Sequence, residues 1–184
     1  MSSFLEPIES PDRWTIRLLY YFSKKKFGKV MTGLKVSSAR MPLAFSLFYG
    51  KVEQLDKKLK LPADLVLLIR QQVAQINICE FCIDSSRYQA IKASFDVRKF
   101  DELHRYESSS LFDQKEKAAL DYVSELTRNK QVKQETFDRL SSHFTEREIV
   151  EIVHIVATEH LYNFSNIGLN IHSDMLCDIS KMKR

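Results

Sequence analysis

Glycine and proline are scarce in this sequence, with only four of each among 184 residues. Both residues interrupt helices, so their scarcity argues against a fold rich in turns. Leu, Ile, Lys, Glu and Gln, which favour helices, are abundant instead. We therefore predict an all-α protein, and the length suits one domain with a sizeable core.

Cysteine is also rare, and three cysteines are too few and too odd in number for a disulfide-stapled secreted scaffold. No stretch approaches the roughly 18 uninterrupted apolar residues of a membrane span. The opening MSSFLEPIES lacks the cationic start and apolar run of a signal peptide. We expect a cytoplasmic protein with no membrane partner.

Positive charge is concentrated in the first third of the chain. Residues 1–60 hold 12 Lys and Arg against 5 Asp and Glu, whereas the remainder holds 16 against 19. No nucleic-acid recognition motif accompanies Lys24, Lys25 and Lys26, so we interpret this run as a solvated helix end and expect no nucleic-acid partner. The shift in composition predicts one domain, 1–184, with a basic helical extension over 1–60 and a core over 61–180.

Start signals and apolar spacing predict the helices. Candidate caps are Asp96 and Asp113, the latter followed by Glu116. Thr145 with Glu148 forms a predicted capping box. Gly50 is expected to kink one helix and Gly168 to end or bend another. The predicted helices cover 14–22, 38–58, 61–76, 79–93, 97–106, 114–126, 134–143, 149–164 and 169–180.

The close pair Cys79 and Cys82 allows three interpretations. A structural zinc site needs a second ligand pair, and the nearest candidates, His172 and Cys177, do not have a common zinc spacing. Buried packing is the second possibility, which we expect for Cys177. The third is redox chemistry, which we favour, and we expect no metal and no cofactor.

The predicted start of a helix favours redox chemistry at this pair. Unpaired backbone N–H groups and the positive end of the helix dipole stabilise a thiolate, and a thiolate is the form that attacks peroxides and disulfides. A spacing of three residues also lets two sulfurs form a disulfide. Glu80 and Asp84 would raise a thiol pKa, and Arg87 would offset part of that effect.

Three stretches resemble the alkylhydroperoxidase D-like branch of the carboxymuconolactone decarboxylase superfamily. They are GLKVSSARMPLAFSLFYGKVEQL, LPADLVLLIRQQVAQINICEFCIDSS and KAALDYVSELTRNKQVKQETFDRLSSHFTEREIVEIVHIVATEHLYNF. The resemblance implies an all-α fold of helical hairpins and a homo-oligomer, a trimer or hexamer. It also implies that Cys82 is activated first and that Cys79 resolves it. The substrate would be a small-molecule hydroperoxide or a protein disulfide, and a partner protein would supply the reducing equivalents.

Two positions depart from the family pattern. The family places a His four residues after the second cysteine, where this chain has Ser86, and a Glu about twelve residues before the first, where it has Leu67. A hydroxyl at position 86 can donate a hydrogen bond to a thiolate but cannot accept its proton near neutral pH. Another base is therefore expected.

The helix over 149–164 holds the candidates for that base. Glu151, His154, Thr158 and Tyr162 share one face, and Glu159, His160 and Asn163 lie elsewhere on it. His160 is the preferred substitute. The remaining histidines, at 104, 143 and 172, are expected at the surface.

Three functions remain open. The first, which we favour, is a thiol-disulfide oxidoreductase with alkylhydroperoxidase-like activity. The second is a non-redox enzyme that acts on a lactone ring. The third is an oligomeric binding protein that keeps the fold without catalysis.

Overall fold

The structure is a computed structural model, and it describes residues 3–177. Within that range every regular element is helical, which confirms the predicted all-α fold. The α-helices are α1 (Trp14–Phe27), α2 (Gly50–Asp56), α3 (Ala63–Asn77), α4 (Glu80–Lys92), α5 (Val97–Glu102), α6 (Gln114–Asn129), α7 (Gln134–Ser141) and α8 (Glu146–Ile167). A 3₁₀ turn, Leu103–Arg105, follows α5.

The predicted caps are present. The side chains of Asp113 and Thr145 each accept a hydrogen bond from the backbone N–H three residues on. The carboxylates of Glu116 and Glu148 each accept one from the backbone N–H of the cap residue. Asp96 accepts a hydrogen bond from the backbone N–H of Arg98. These local contacts satisfy donors that a helix start leaves unpaired, which explains why sequence alone locates these three helix starts.

Helix α3 lies at the centre of the fold and packs against α4, α6 and α8. Its side chains Leu68, Ile69 and Val73 are completely buried. Burial of each such aliphatic side chain contributes about 1.5–3 kcal/mol. The packing therefore fixes α4, which carries the cysteine pair, and α8 around one central helix.

The segment predicted as one helix over 38–58 is broken. Two π-helical turns, Leu34–Ser38 and Ala44–Tyr49, precede α2, which begins at Gly50. Pro42 lacks a backbone N–H and disfavours helical geometry at the residue before it. One helical stretch therefore ends at Ser38, and the next begins at Pro42, where a missing N–H costs nothing.

The final helix predicted over 169–180 is wrong for residues 171–175, which have no regular structure. Side chains hold this part of the chain instead. Asp174 is buried and accepts hydrogen bonds from the backbone N–H of Thr32 at 2.7 Å and from its hydroxyl at 2.7 Å. Lys29 Nζ lies 2.9 Å from the same carboxylate. Residues 178–180 of the prediction lie outside the described residues.

Residues of the first third of the chain contact the rest of the molecule. The Tyr88 hydroxyl of α4 donates to the carbonyl of Lys26 at 3.1 Å, and the rings of Phe27 and Tyr88 lie 5.5 Å apart. The division into an extension over 1–60 and a core over 61–180 remains a prediction.

None of the helices found between residues 3 and 177 is both long enough and apolar enough to cross a membrane.

Glu151 of α8 joins that helix to the chain that leads into α3. Its carboxylate accepts hydrogen bonds from the backbone N–H of Lys60 at 2.7 Å and of Leu61 at 3.1 Å, and from Arg147 at 2.7 Å. Burial raises the pKa of Glu151, but these three donors outweigh burial and hold the pKa below its ordinary value. The residue therefore has a structural part in the fold, at the start of the central helix.

We expect Glu151→Leu to lower the free energy of unfolding by about 2 kcal/mol at pH 7, because two backbone amides, one of them buried, lose their acceptor. Glu151→Gln, which keeps one carbonyl oxygen, should cost about 1 kcal/mol. Urea unfolding measures both, with the exposed Glu146→Gln as control.

Because the folded pKa of Glu151 is depressed, its ionised form stabilises the protein above the unfolded pKa, and this contribution disappears as pH falls through the folded pKa. A Gln variant as stable as wild type at pH 7 would contradict this role.

Candidate functional site

A tight turn between α3 and α4 brings the two cysteines together. Helix α3 ends at Asn77, and Ile78 then takes a left-handed conformation with φ of 60°. The N–H of Cys79 bonds back to Ala74 O at 2.9 Å and that of Ile78 to Gln75 O at 3.2 Å. This is a Schellman-type ending, which reverses the chain and makes Cys79 the N-cap of α4.

A disulfide joins Cys79 to Cys82, whose Cα atoms lie 5.3 Å apart. Cys79 is 1% exposed and Cys82 is 5% exposed. Both sulfurs lie at the start of α4, where unpaired N–H groups face outward along the helix axis. The pair is thus located where the sequence predicts it, at a helix start that favours a thiolate once the bond is reduced.

The two carboxylates nearest the pair in sequence bind the C-terminal segment. Glu80 pairs with His172 at 2.9 Å, and Asp84 accepts hydrogen bonds from the backbone N–H groups of Leu176 and Cys177 at 2.8 and 3.1 Å. Both carboxylates line a separate cavity of about 370 Å³. Burial and Asp84 raise the pKa of Cys177 to about 11, so that thiol stays protonated near neutral pH.

Cys82 lines a cavity of about 360 Å³ between α4 and α8, whereas Cys79 does not. The side-chain amide of Asn166 donates to Cys82 Sγ at 3.5 Å. Helix α4 contributes Phe81, Cys82, Ser85, Ser86 and Gln89, and α8 contributes Glu159, Tyr162 and Asn166. Met31, Tyr49 and Glu53 complete the wall with the charged pair Asp56 and Arg70. A small molecule in this cavity would reach one sulfur and only that one.

A partly buried ionic cluster forms the polar side of the cavity. The guanidinium of Arg70 donates to Asp56 at 2.7 Å and to Glu159 at 3.1 Å. Glu159 is 4% exposed and also accepts from Asn163 Nδ2 at 2.7 Å. Burial raises the pKa of Glu159 above its ordinary value, against the opposing effect of Arg70. A carboxyl group of this kind can accept and return a proton closer to neutral pH than an exposed one.

Tyr162 lies beside this cluster. Its ring is 5.8 Å from the guanidinium carbon of Arg70 and 5.5 Å from the ring of Tyr49. Burial raises the pKa of Tyr162 to about 12. The phenol therefore stays protonated at neutral pH and can donate a hydrogen bond.

His160 does not line the Cys82 cavity. Its Nδ1 lies 3.0 Å from the side-chain amide nitrogen of Asn77, which also donates to Asn163 Oδ1 at 2.9 Å. Asn163 in turn donates to Glu159, so amides connect the imidazole to the cavity carboxyl group. Burial, with a smaller effect from Lys130, lowers the pKa of His160, which favours the neutral ring that accepts from Asn77.

The other candidates on α8 make contacts elsewhere. Thr158 donates to the backbone of its own helix, and His154 Nε2 lies 3.4 Å from Asp56 Oδ1. Glu151 holds the chain before α3, so Tyr162 is the one member of that predicted face that lines the cavity. Among the other histidines, His104 and His143 are exposed, and His172 is partly buried against Glu80.

Nowhere in the described part of the chain do three or more His, Cys, Asp and Glu side chains form a group that could hold a metal ion. His172 and Cys177, the zinc candidates considered with the cysteine pair, contact Glu80 and Asp84 instead.

The comparisons with known proteins show what this chain is similar to. No protein-family model matches the sequence. The uncharacterised protein YdfG of Bacillus subtilis is 30% identical over 104 residues, which are 55% of this chain and 71% of YdfG.

Two solved structures have the same fold. One is the alkylhydroperoxidase AhpD core of an uncharacterised peroxidase-related protein from Ralstonia eutropha, with a TM-score of 0.76, 21% identity and 93% of each chain covered. The other is a cysteine-to-alanine variant of the debrominase Bmp8 in complex with 2,3,4-tribromopyrrole, with a TM-score of 0.81 and 17% identity. That match covers 100% of this chain and 99% of Bmp8.

The chain belongs to the same family as YdfG, and its fold is that of the AhpD core.

Within the AhpD-like fold, the two departures from the family pattern have different surroundings. Leu67 packs partly buried against the cluster that contains Leu68, Phe100 and Leu120. Ser86 is 4% exposed and lines the Cys82 cavity. A hydroxyl therefore lies at the cavity wall where the resemblance implies an imidazole, and an apolar side chain lies where it implies a carboxylate.

The site also contains residues that the sequence analysis did not single out, above all Arg70 and Asp56. One signal was present, since Arg70 is the only charge within the apolar run that follows Asp64 in α3. A buried cation needs a carboxylate partner. The sequence did not identify that partner, because Asp56 and Glu159 lie 14 and 89 positions away.

Proposed function

We propose that the protein is a thiol-disulfide oxidoreductase that reduces hydroperoxides through Cys79 and Cys82. The observation that carries this proposal is the position of Cys82, which is bonded to Cys79 and alone of the two lines a cavity. A reactive thiol needs substrate access, and a resolving thiol needs contact with the first sulfur. The cytoplasm would keep the resting pair reduced.

The reaction balances with these two thiols. In the reduced protein the Cys82 thiolate attacks the outer oxygen of a hydroperoxide, the oxygen–oxygen bond breaks, and the alkoxide takes a proton to leave as an alcohol. Cys82 becomes a sulfenic acid, which Cys79 attacks to form the disulfide and release water. A dithiol of a partner protein then reduces the disulfide by thiol exchange.

Glu159 supplies the proton transfer in this proposal. Its carboxyl group lines the same cavity as Cys82 and is buried. As a carboxylate it accepts the Cys82 thiol proton, and as an acid it protonates the leaving alkoxide. Asn166 donates a hydrogen bond to Cys82 Sγ, and Ser86 lines the cavity beside it. His160 orients Glu159 through Asn77 and Asn163.

Reductive debromination is a second candidate. Bmp8 was crystallised with 2,3,4-tribromopyrrole, and the match covers all of this chain. The rings of Tyr49, Phe81 and Tyr162 line the Cys82 cavity and would accept a planar ring. Two thiols and one carbon–bromine bond would give one carbon–hydrogen bond, one disulfide and hydrogen bromide.

We expect Cys82→Ser to abolish turnover of tert-butyl hydroperoxide with a dithiol reductant, because the attacking sulfur is gone. Cys79→Ser should stop at the sulfenic acid, which mass spectrometry detects as one added oxygen. Cys177→Ser is the matched control and should keep the wild-type rate. In the same assay, bromide release from 2,3,4-tribromopyrrole tests debromination.

Three results would contradict the redox proposal. A Cys82→Ser variant as fast as wild type would exclude it outright. Lactone turnover that survives loss of both cysteines would favour a non-redox enzyme. No turnover with any hydroperoxide, with an unperturbed Cys82 thiol pKa near 8.5, would favour a binding protein.

The pH profile of the same reaction tests Glu159. Since the carboxylate is the proton acceptor, the wild-type kcat/KM should rise with pH as Glu159 ionises, above the ordinary range of a glutamate. We expect Glu159→Gln to lower kcat/KM about 100-fold and to remove this rise. The exposed Glu135→Gln is the control. If His160→Gln removes the rise and Glu159→Gln keeps it, the imidazole is the proton acceptor instead.

We further propose that the protein forms a homo-oligomer, either a trimer or a hexamer. An apolar stripe along one side of α8 is exposed, with Val150 65%, Val153 39%, Leu161 37% and Phe164 59% accessible. These side chains recur at helical spacing, which suits packing against another helix. A second copy of the chain would remove this surface from water.

Val153→Glu combined with Leu161→Glu should reduce the particle to a monomer, because two charges would be buried at the contact. Sedimentation velocity measures the mass. Phe137→Glu, an exposed apolar position on α7 away from the stripe, is the control. A wild-type protein that sediments as a monomer would disprove the oligomer.

A further inference from the structure

A larger groove adjoins the Cys82 cavity. It has a volume of about 840 Å³ and lies along α3 and the end of α4, within the range of sites that hold small molecules. Four residues line both spaces: Glu53, Asp56, Arg70 and Gln89. The groove and the cavity are therefore adjoining parts of one surface depression.

The walls of the groove are mostly apolar. Leu61 is buried, and Val66 and Leu67 are partly exposed along one side of α3. Leu59 and Phe95 complete this apolar surface. Leu67 stands at the position where the resemblance implies a carboxylate, so the wall is apolar at that point.

Three lysines line the same groove: Lys26, Lys57 and Lys92. Lys57 pairs with Glu53 at 3.3 Å. Lys26 and Lys92 each lie near an aromatic ring, at 5.2 Å and 5.8 Å from its centroid. Across residues 3–177, neither of these two has a carboxylate within 4 Å, so both can pair with an anion from outside.

The acidic residues of the groove are already paired. Asp56 binds Arg70 at 2.7 Å, and Glu53 contacts Lys57. Negative charge is therefore compensated where the groove meets the Cys82 cavity, whereas Lys26 and Lys92 carry uncompensated positive charge. A ligand that fits both features has an apolar chain and an anionic end.

We propose that this groove binds a long-chain carboxylate, with the carboxylate at Lys26 and Lys92 and the chain directed along the apolar wall toward Cys82. Its reactive form is a fatty-acid hydroperoxide. This form rests on the proposed function, and its reduction gives a hydroxy fatty acid, water and the Cys79–Cys82 disulfide. Binding of the unreactive carboxylate does not depend on the redox chemistry.

Binding is tested first, with dodecanoate as the probe and isothermal titration calorimetry on the whole protein. We expect dodecanoate to bind at least tenfold more tightly than dodecanol, which has the chain without the charge. Lys26→Glu with Lys92→Glu should weaken dodecanoate binding about tenfold and reduce its dependence on salt. Ala63→Trp, which places a large ring in the groove, should abolish it.

The control variant carries the same charge change outside the groove. Lys25→Glu with Lys51→Glu alters two exposed lysines that do not line it. This variant should bind dodecanoate as wild type does. Circular dichroism confirms that each variant is folded.

Turnover is tested next with linoleic acid hydroperoxide, its methyl ester and tert-butyl hydroperoxide. The ratio of kcat/KM for the acid to that for tert-butyl hydroperoxide should fall about tenfold in the Lys26→Glu, Lys92→Glu variant. The ratio of kcat/KM for the methyl ester to that for tert-butyl hydroperoxide should change less in this variant, because the ester has no carboxylate that could pair with the lysines.

Each alternative result decides against the groove proposal. Equal binding of dodecanoate and dodecanol, or equal dodecanoate binding by wild type, the lysine variant and Ala63→Trp, would overturn it. A changed particle mass in Ala63→Trp, with unchanged affinity for dodecanoate, would show an interface between copies. Failure of the redox proposal is distinguishable, because tert-butyl hydroperoxide would then not be reduced while dodecanoate would still bind.

Discussion

The guanidinium of Arg70 holds the site together. It extends from the central helix α3 to Asp56 at the end of α2 and to Glu159 on α8. Arg70 is largely removed from water and Glu159 is buried, so removal of either one would leave its partner with an uncompensated charge in a poorly solvated place. The three groups therefore constrain one another, and the cavity beside Cys82 has a charged wall because this cluster is satisfied.

The same cluster determines what Glu159 can do. If Arg70 alone acted on it, the carboxyl group would stay ionised and would be a weak base. Burial acts in the opposite direction and raises the pKa. Competition between these two effects keeps the group able both to accept a proton and to return it, which an exposed glutamate near pH 7 does poorly.

The elements that could be predicted are those specified by local contacts. The capping boxes at Asp113 and Thr145 are complete within four residues, so their helices begin where the sequence indicates. The segment over 169–180 was predicted wrongly in part, because Asp174 is held by Thr32 and Lys29, more than 140 positions away. Spacing likewise located the cysteine pair, whereas the partners of Arg70 depend on tertiary packing.

Ile78 shows how this fold places the cysteine pair. A β-branched residue in the left-handed region is strained by roughly 1–2 kcal/mol, and glycine is the usual residue there. The side chain of Ile78 is 78% exposed, so burial does not repay this strain within one chain. Contacts of the neighbouring residues must therefore impose the backbone geometry of Ile78. The N–H groups of residues 78 and 79 donate hydrogen bonds to carbonyls of α3, and the side chain of Asn77 donates to Asn163 of α8. Those contacts hold Cys79 at the N-cap position and leave Cys82, one turn further on, facing the cavity.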